Sequence, residues 1–156
     1  MRGRKKPKKV KINSDPKYNR QDFAKFINYI MKEGKKTKAQ KIFYSAFEII
    51  EEKIKEDPVK VFEKAMSNGS PLVELRARRI GGANYQVPTP ISENRRFTLI
   101  SRWILEASRK RKGKPMAEKL ANVILETYQN QGEVIKRKED THRMAEANRA
   151  FAHFAR

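Results

Sequence analysis

The chain has 156 residues, of which 35% are charged, and its formal net charge is +19. This length suits one compact domain with a sizeable core. So much positive charge would repel itself in a compact fold unless a polyanion neutralised it, so nucleic acid is the first candidate partner and an anionic membrane surface the second. No apolar run approaches the roughly 18 residues that a membrane-spanning helix needs, and no hydrophobic signal core follows the basic N-terminus. The absence of cysteine excludes disulfides and thiol catalysis and fits a reducing cytosol.

The first 18 residues are predicted to form a basic arm that is disordered when the protein is free. Residues 2–11 contain seven basic side chains and no acidic one, without apolar periodicity. A solubilising tail is the alternative interpretation, but the charge density exceeds what solubility requires and favours binding to RNA. The arm residues assigned to RNA are Arg2, Arg4, Lys5, Lys6, Lys8 and Lys9.

Three amphipathic helices are predicted after the arm. The first covers about 19–33 and stops at Gly34, because apolar residues repeat there with the spacing of one helical face. The second covers about 37–56 and starts with a capping box of Thr37 and Gln40. The third starts at Asp57-Pro58, an N-cap acid before a proline at the first helical position, and ends near residue 69.

From residue 72 onward the pattern becomes that of a β-hairpin. Apolar and charged residues alternate up to Gly81-Gly82, a two-residue turn that tolerates positive φ at both positions. Residues 85–87 form the return strand, and Pro88 and Pro90 are predicted to end it. A lone hairpin is marginal in water, so this one must lean on the helices or on a partner.

Three arginines lie near the predicted tip of this ribbon. Arg76 and Arg78 share one face and Arg79 points from the other, so neither face can be buried whole in an apolar core. A solvated hairpin is the alternative, but three guanidinium groups on a protruding ribbon favour a phosphate-lined groove, where arginine binds bidentately.

Three more helices are predicted after the ribbon. Ser92 caps a helix to about residue 111, Pro115 opens the next one, and a polar last helix begins near Glu133 and frays toward Arg156. The fold class is therefore mainly all-α: a bundle of about six helices with one protruding two-stranded hairpin between the third and fourth. Residues 19–156 are expected to form a single RNA-binding domain.

Charge is unevenly distributed along the chain. Residues 45–75 carry seven acids against four bases, a net charge of −3, so the remainder carries +22. This predicts that the second and third helices face away from RNA. The binding side then comprises the arm, the loop at Lys35-Lys36, the hairpin, the helix over 95–111 and the basic run at 136–138. A DNA-binding architectural protein and a basic enzyme that acts on RNA are the competing hypotheses.

Catalysis finds little support in the sequence. Gly34-Lys35-Lys36-Thr37 is similar to the end of a phosphate-binding P-loop, but Tyr29 stands where that motif needs glycine and a helix precedes the pattern. His142 and His153 are too far apart for one helical metal site. No nucleophile–base pattern occurs, so no enzyme activity, cofactor, metal or small-molecule substrate is expected.

Two long motifs resemble one known family. PLVELRARRIGGANYQVP at 71–88 resembles the hairpin signature of the small-subunit ribosomal protein seven family, and HRMAEANRAFAH at 142–153 resembles its C-terminal signature. Shorter matches fall between them in the expected order. The resemblance implies a six-helix bundle with a β-ribbon that binds the 3′ major domain of 16S-type ribosomal RNA and nucleates assembly of the head.

The resemblance also implies partners, a location and site residues. Exit-site transfer RNA, messenger RNA and small-subunit ribosomal proteins nine and eleven are the expected neighbours. The expected location is the cytoplasmic ribosome, or that of an organelle, without a membrane, and some bacterial members repress their own operon. Positions assigned to ribosomal RNA, besides the arm, are Lys35, Lys36, Arg76, Arg78, Arg79, Arg95, Arg96, Arg102, Arg109, Arg111 and Lys114. Positions assigned to transfer RNA, messenger RNA or a neighbouring protein are Gly81, Gly82, Tyr85, Arg143 and Arg149. Thr89-Pro90 departs from the family pattern and is expected to shorten the second strand.

Overall fold

The computed structural model describes residues 12–155, so residues 1–11 of the predicted basic arm over 1–18 lie outside them. Residues 12–18 lie within them, and Asp15 there is buried and accepts a hydrogen bond from the Tyr44 hydroxyl at 2.6 Å. In chain order the elements are α1 (Gln21–Ile30), α2 (Lys36–Ile54), α3 (Pro58–Gly69), β1 (Val73–Ile80), β2 (Ala83–Pro90), α4 (Glu93–Lys110), α5 (Met116–Tyr128), α6 (Gly132–Ala147) and a C-terminal 3-10 helix (Arg149–Ala155). The predicted fold class is confirmed, with the single antiparallel hairpin between α3 and α4.

The ends of the first helices follow backbone conformation and capping. Asn19 and Glu33 have positive φ of 51° and 53°, which a right-handed helix cannot contain, so α1 is shorter than the predicted span. The predicted Thr37–Gln40 capping box is wrong, because α2 starts at Lys36 and its N-cap, Lys35, makes no side-chain capping bond. The N-cap of α3 is confirmed, since the Asp57 carboxylate accepts a 2.9 Å hydrogen bond from the backbone N–H of Val59.

The core is an aromatic cluster shared by the first three helices. The side chains of Phe23, Phe26, Phe43, Phe47 and Phe62 are buried, and those in contact have ring centroids between 4.3 and 6.1 Å apart. Burying each phenylalanine contributes roughly 1.5–3 kcal/mol by area alone. The predicted apolar faces of α4 and α5 close this core, since Ile100, Ile104, Leu120 and Ile124 are fully buried.

The hairpin pairs along its whole length. Its register runs from Val73 opposite Pro90 to Ile80 opposite Ala83, and Gly81 and Gly82 form the turn with φ of 56° and 90°. The strand ends at Pro90 as expected, but it continues through Pro88, and Thr89-Pro90 does not shorten it, so those two expectations are wrong. Both prolines occupy non-hydrogen-bonded pairs of the ladder, as the bond from the Ile91 N–H to the Leu72 carbonyl shows, so their missing N–H groups would have faced away from β1.

The C-terminal end packs instead of fraying. Helix α6 lies against β1, and the 3-10 helix lies against β2. The Tyr85 ring of β2 contacts the rings of Phe151 and Phe154 at centroid distances of 5.1 and 5.8 Å. The expectation of a fraying end is therefore wrong, because aromatic contacts with the ribbon hold residues 149–155 in a defined place.

Candidate nucleic-acid interface

The arginines of the β-ribbon lie on the faces that the alternating sequence pattern predicted. Arg76, Arg78 and Arg79 are all exposed, with Arg76 and Arg78 on one face and Arg79 on the other. The Arg78 guanidinium donates to the carbonyl oxygens of Phe154 and Ala155 at 2.8 and 3.3 Å. Arg79 has no hydrogen bond or ion pair to any residue in 12–155 and points into solvent. The two faces therefore differ: one is partly covered by the 3-10 helix and the other is open.

A buried carboxylate joins the base of the ribbon to α4. Glu74 accepts from Arg76 Nε at 2.7 Å through Oε1 and from Arg95 Nε at 3.0 Å through Oε2. Its side chain is 10% exposed, whereas those of Arg76 and Arg95 are 57% and 43% exposed. Burial alone would raise the pKa of Glu74, but the hydrogen bonds from the two arginines outweigh it and the pKa is lowered.

A basic groove runs between α1, α4 and the start of α2. Three adjoining cavities form it: Arg109 lines the first and the second, and Tyr29 lines the second and the third. The residues that define the basic groove are Lys25, Tyr29, Lys32, Lys35, Lys38, Arg102 and Arg109. Its one acidic lining residue among those described, Glu106, is already paired with Arg137. The groove is therefore strongly cationic.

Local contacts fix the walls of the basic groove. The Tyr29 hydroxyl donates to Thr98 Oγ1 at 3.1 Å, which ties α1 to α4. Arg109 reaches the carbonyls of Tyr29 and Ile30 at 3.4 Å, where a cation at a helix C-terminus is favourable. Arg102, seven residues or about two helical turns earlier, is exposed and makes no side-chain bond within 12–155. Its guanidinium is open to an incoming anion.

Several other predicted site residues are already engaged with acids. Lys35 pairs with Glu33, Arg111 with Glu126 and Lys114 with Glu118. Arg143 pairs with Asp140 and Arg149 with Glu146, each three residues apart on the exposed surface near the C-terminus. Such exposed pairs contribute at most about 1 kcal/mol, so a phosphate can compete with them.

The remaining predicted positions differ in their surroundings. Lys36 is exposed and has no partner in the described part of the chain. Arg96 is half-buried, and its Nε is a buried donor without a hydrogen-bond partner there. Gly81 and Gly82 are exposed at the turn, whereas the half-buried Tyr85 ring is engaged with the 3-10 helix. In the basic run at 136–138, Arg137 pairs with Glu106 and Lys138 donates to the Asn68 carbonyl at 2.7 Å.

Several acidic groups near Tyr18 lie outside the basic groove. Burial raises the pKa of the Tyr18 phenol, and the charges of Glu51, Asp57, Glu48 and Asp15 raise it further. Glu48 and Glu51 belong to the second half of α2 and Asp57 is the N-cap of α3, while the buried Asp15 accepts a hydrogen bond from the Tyr18 backbone N–H at 3.1 Å. None of them lines the basic groove. Glu48, Glu51 and Asp57 belong to the acidic segment of residues 45–75, which is separate from the basic groove at these three positions.

Sequence reasoning missed three features of this surface. It counted Glu74 only as one acid of the −3 segment, and it did not assign Tyr29 or the lysines Lys25, Lys32 and Lys38. The apolar repeat of the first helix did not include Tyr29, and no local pattern could show that α1 and α4 lie side by side. Within 12–155 no cluster of metal-ligating side chains occurs, and no helix there is long and apolar enough to cross a membrane.

Comparison with known proteins decides the family. A model of the family described as "Ribosomal protein S7p/S5e" matches residues 1–149. The chain belongs to the ribosomal protein S7p/S5e family. It is 56% identical over 151 residues to the small ribosomal subunit protein uS7 of Thermotoga neapolitana, covering 97% of each chain. It is also 50% identical over 154 residues to the protein of the same name from Desulfatibacillum aliphaticivorans, covering 99% of each.

Membership confirms the resemblance seen in the two long motifs. Members of the S7p/S5e family are structural ribosomal proteins of the small subunit, so the prediction of a structural, non-enzymatic protein is confirmed on the family. The assignment of individual residues to RNA stays a prediction.

Proposed function

We propose that the chain binds small-subunit ribosomal RNA directly, at the 3′ major domain of 16S-type RNA, and nucleates assembly of the head. The observation that carries this proposal is the basic groove with the ribbon beside it, separated from the acids around Tyr18. A cationic surface of this kind suits a phosphate backbone, and its open guanidinium groups can bind phosphate bidentately.

The proposed neighbours follow from the same placement. The ribbon and the C-terminal 3-10 helix would lie near exit-site transfer RNA and the messenger path, with small-subunit proteins nine and eleven close by, in a cytoplasmic ribosome. Arg143 and Arg149 support this, because they lie on the exposed surface near the C-terminus and their acid partners hold them weakly. Repression of its own messenger RNA would use the same surface.

A binding assay with salt titration tests the central proposal. The purified protein is titrated with a transcript of the 3′ major domain and with random duplex DNA of equal length. If about ten phosphates are contacted, the logarithm of affinity falls with the logarithm of salt concentration with a slope of about −7 to −9. Tighter binding to the folded RNA is expected, because A-form shape and junctions are recognised there. Equal affinity for the duplex DNA would support a DNA-binding architectural protein instead, and a slope near −2 would contradict an extended surface.

A matched pair of variants locates the surface. Arg102→Ala removes an open cation from the basic groove, whereas Lys60→Ala removes an exposed cation of α3 that lies in the acidic segment and has no side-chain partner within 12–155. Both lower the net charge by one. We expect only Arg102→Ala to weaken RNA binding and to make the salt slope less steep by about 0.7–0.9. Equal effects would mean that net charge alone, without a defined surface, drives binding.

A further inference from the structure

We infer that Glu74 is a positioning residue that joins Arg76 and Arg95 into one site for a single backbone phosphate of RNA. The inference rests on the proposed function and deepens it, because it assigns a role to an acid within a cationic surface. An acid at such a place would ordinarily weaken the binding of a polyanion.

Glu74, Arg76 and Arg95 form a trio in which the two arginines bind different oxygens of one carboxylate. One carboxylate oxygen of Glu74 receives Arg76, through Nε at 2.7 Å and Nη2 at 2.5 Å, and the other receives Arg95 Nε at 3.0 Å. Both guanidinium groups therefore sit against the same carboxylate, one from β1 and one from α4. Arg95 keeps both terminal nitrogens for another acceptor, and Arg76 keeps Nη1 and the second hydrogen of Nη2, which together form its outer edge. Two such edges side by side match the oxygens of one phosphate.

The trio is arranged with its acid inside and its two cations outside. Glu74 is nine-tenths buried while both arginines are about half exposed, so the carboxylate lies beneath the pair and the cations face outward. The trio keeps a net charge of +1, which still attracts an anion. A buried carboxylate is costly to desolvate, and packing alone would be served as well by an apolar residue. The benefit of the carboxylate is that it orders two long arginine side chains before RNA arrives, which lowers the entropy lost on binding.

The contact also fixes where the ribbon stands. Arg76 belongs to β1 and Arg95 to the first turn of α4, so the shared carboxylate ties the base of the ribbon to the helix that carries Arg102 and Arg109. The Thr89 hydroxyl adds a 3.2 Å bond to the Glu74 carbonyl from the opposite strand. The phosphate site therefore lies where the ribbon and the basic face of α4 meet.

The test compares two substitutions that remove the same charge. Glu74→Gln loses the carboxylate that holds both arginines, and Glu93→Gln loses an exposed acid of α4 that has no partner within 12–155. Affinity for the 3′ major domain transcript is measured across salt concentrations, with the active fraction determined for each protein. We expect about tenfold weaker binding for Glu74→Gln and a salt slope smaller by about 0.7–0.9, the loss of one phosphate contact. Glu93→Gln should bind as tightly as the wild type or slightly more tightly.

Opposite outcomes separate this inference from the proposed function. If the wild type and Glu93→Gln bind the transcript no better than duplex DNA, the proposed function fails. If the wild type binds the transcript but Glu74→Gln binds it equally or more tightly, Glu74 does not position the arginines and the inference alone is overturned.

Two further experiments separate positioning from folding. In a protein carrying Arg76→Gln and Arg95→Gln, adding Glu74→Gln should weaken binding no further, and a tenfold loss there would mean that Glu74 acts through the fold. If Glu74→Gln does not fold, the single variants Arg76→Lys and Arg95→Lys are tested in its place, since each keeps the positive charge and leaves Glu74 present. Each should weaken binding at least threefold because an ammonium lacks the second planar edge. Wild-type affinity in both would overturn the inference.

Discussion

Gly69 is predicted to be a site where a single methyl group destabilises the fold. It is the last residue of α3, is buried, and has no positive φ, so turn conformation does not explain the glycine. A Cβ at this position would lie 2.4 Å from Ile100 Cδ1 on α4 and 3.1 Å from Val134 Cγ1 on α6. Three helices therefore converge on the glycine.

The effect of Gly69→Ala on the free energy of unfolding is the balance of two opposing contributions. Alanine in place of glycine in a helix favours folding by roughly 0.5–1 kcal/mol. Overpacking a core with one extra carbon costs typically about 1–3 kcal/mol, and Ile100 is itself fully buried, so it has little room to move. We expect a net loss of about 1–2 kcal/mol in the free energy of unfolding, measured by urea titration, and a melting temperature lower by about 2–8 °C.

A double-mutant cycle with Ile100→Val tests the steric explanation. Valine lacks the Cδ1 atom that meets the new methyl group, so Gly69→Ala should cost at least about 1 kcal/mol less in the Ile100→Val protein than in the wild type. Ser67→Ala, at an exposed position of the same helical turn, is the control and should stay within about 0.5 kcal/mol of the wild type. A stabilising Gly69→Ala, or a cost unchanged by Ile100→Val, would refute the reasoning.

Three further predictions concern capping, the C-terminal contact and pH. Asp57→Ala should lower the free energy of unfolding by about 1 kcal/mol in urea titration, because α3 loses its side-chain N-cap, and no change would contradict that role. Tyr85→Ala should speed amide hydrogen exchange in 149–155 while the helical bundle keeps its protection, since this ring holds the 3-10 helix, and unchanged exchange would show that other contacts suffice. Because the pKa of Glu74 is lowered on folding, its stabilisation is present above its ordinary pKa of about 4.3 and is lost as pH falls through the lowered value. The stability difference between wild type and Glu74→Gln, from melts at several pH values, should therefore shrink on acidification, and a difference that grew would reverse the sign of the linkage.

Local signals were sufficient for most of the fold. Helical periodicity located α2, α4 and α5 to within a few residues because their buried faces are apolar and regular. The errors occur where distant residues decide. Whether Pro88 ends a strand depends on which edge of the ladder its nitrogen faces, and the order of residues 149–155 depends on Tyr85, which lies more than sixty positions earlier.

The same dependence on distant residues limits what the sequence could predict of the nucleic-acid interface. Composition and charge distribution identify which parts of the chain are cationic, since both are properties of the sequence itself. They do not show which cations are already paired: Arg111, just after α4, pairs with Glu126 of α5, whereas Arg102 meets no acid in the described chain. Charge distribution and motif similarity together assigned both to RNA, and only the folded arrangement distinguishes them.

Paired and unpaired arginines are expected to contribute to RNA binding in different ways. An open arginine such as Arg102 gains a partner when RNA binds, so its contribution is mainly attraction and follows the salt dependence of counterion release. An arginine held by a buried carboxylate contributes less net charge but is ordered in advance, so its contribution is mainly geometric. If both kinds act in one interface, open cations determine how fast and how strongly the chain approaches RNA, and the Glu74 pair determines the register in which it settles. Variants of the two kinds should then differ, with Arg102→Ala mainly slowing association and Glu74→Gln mainly speeding dissociation.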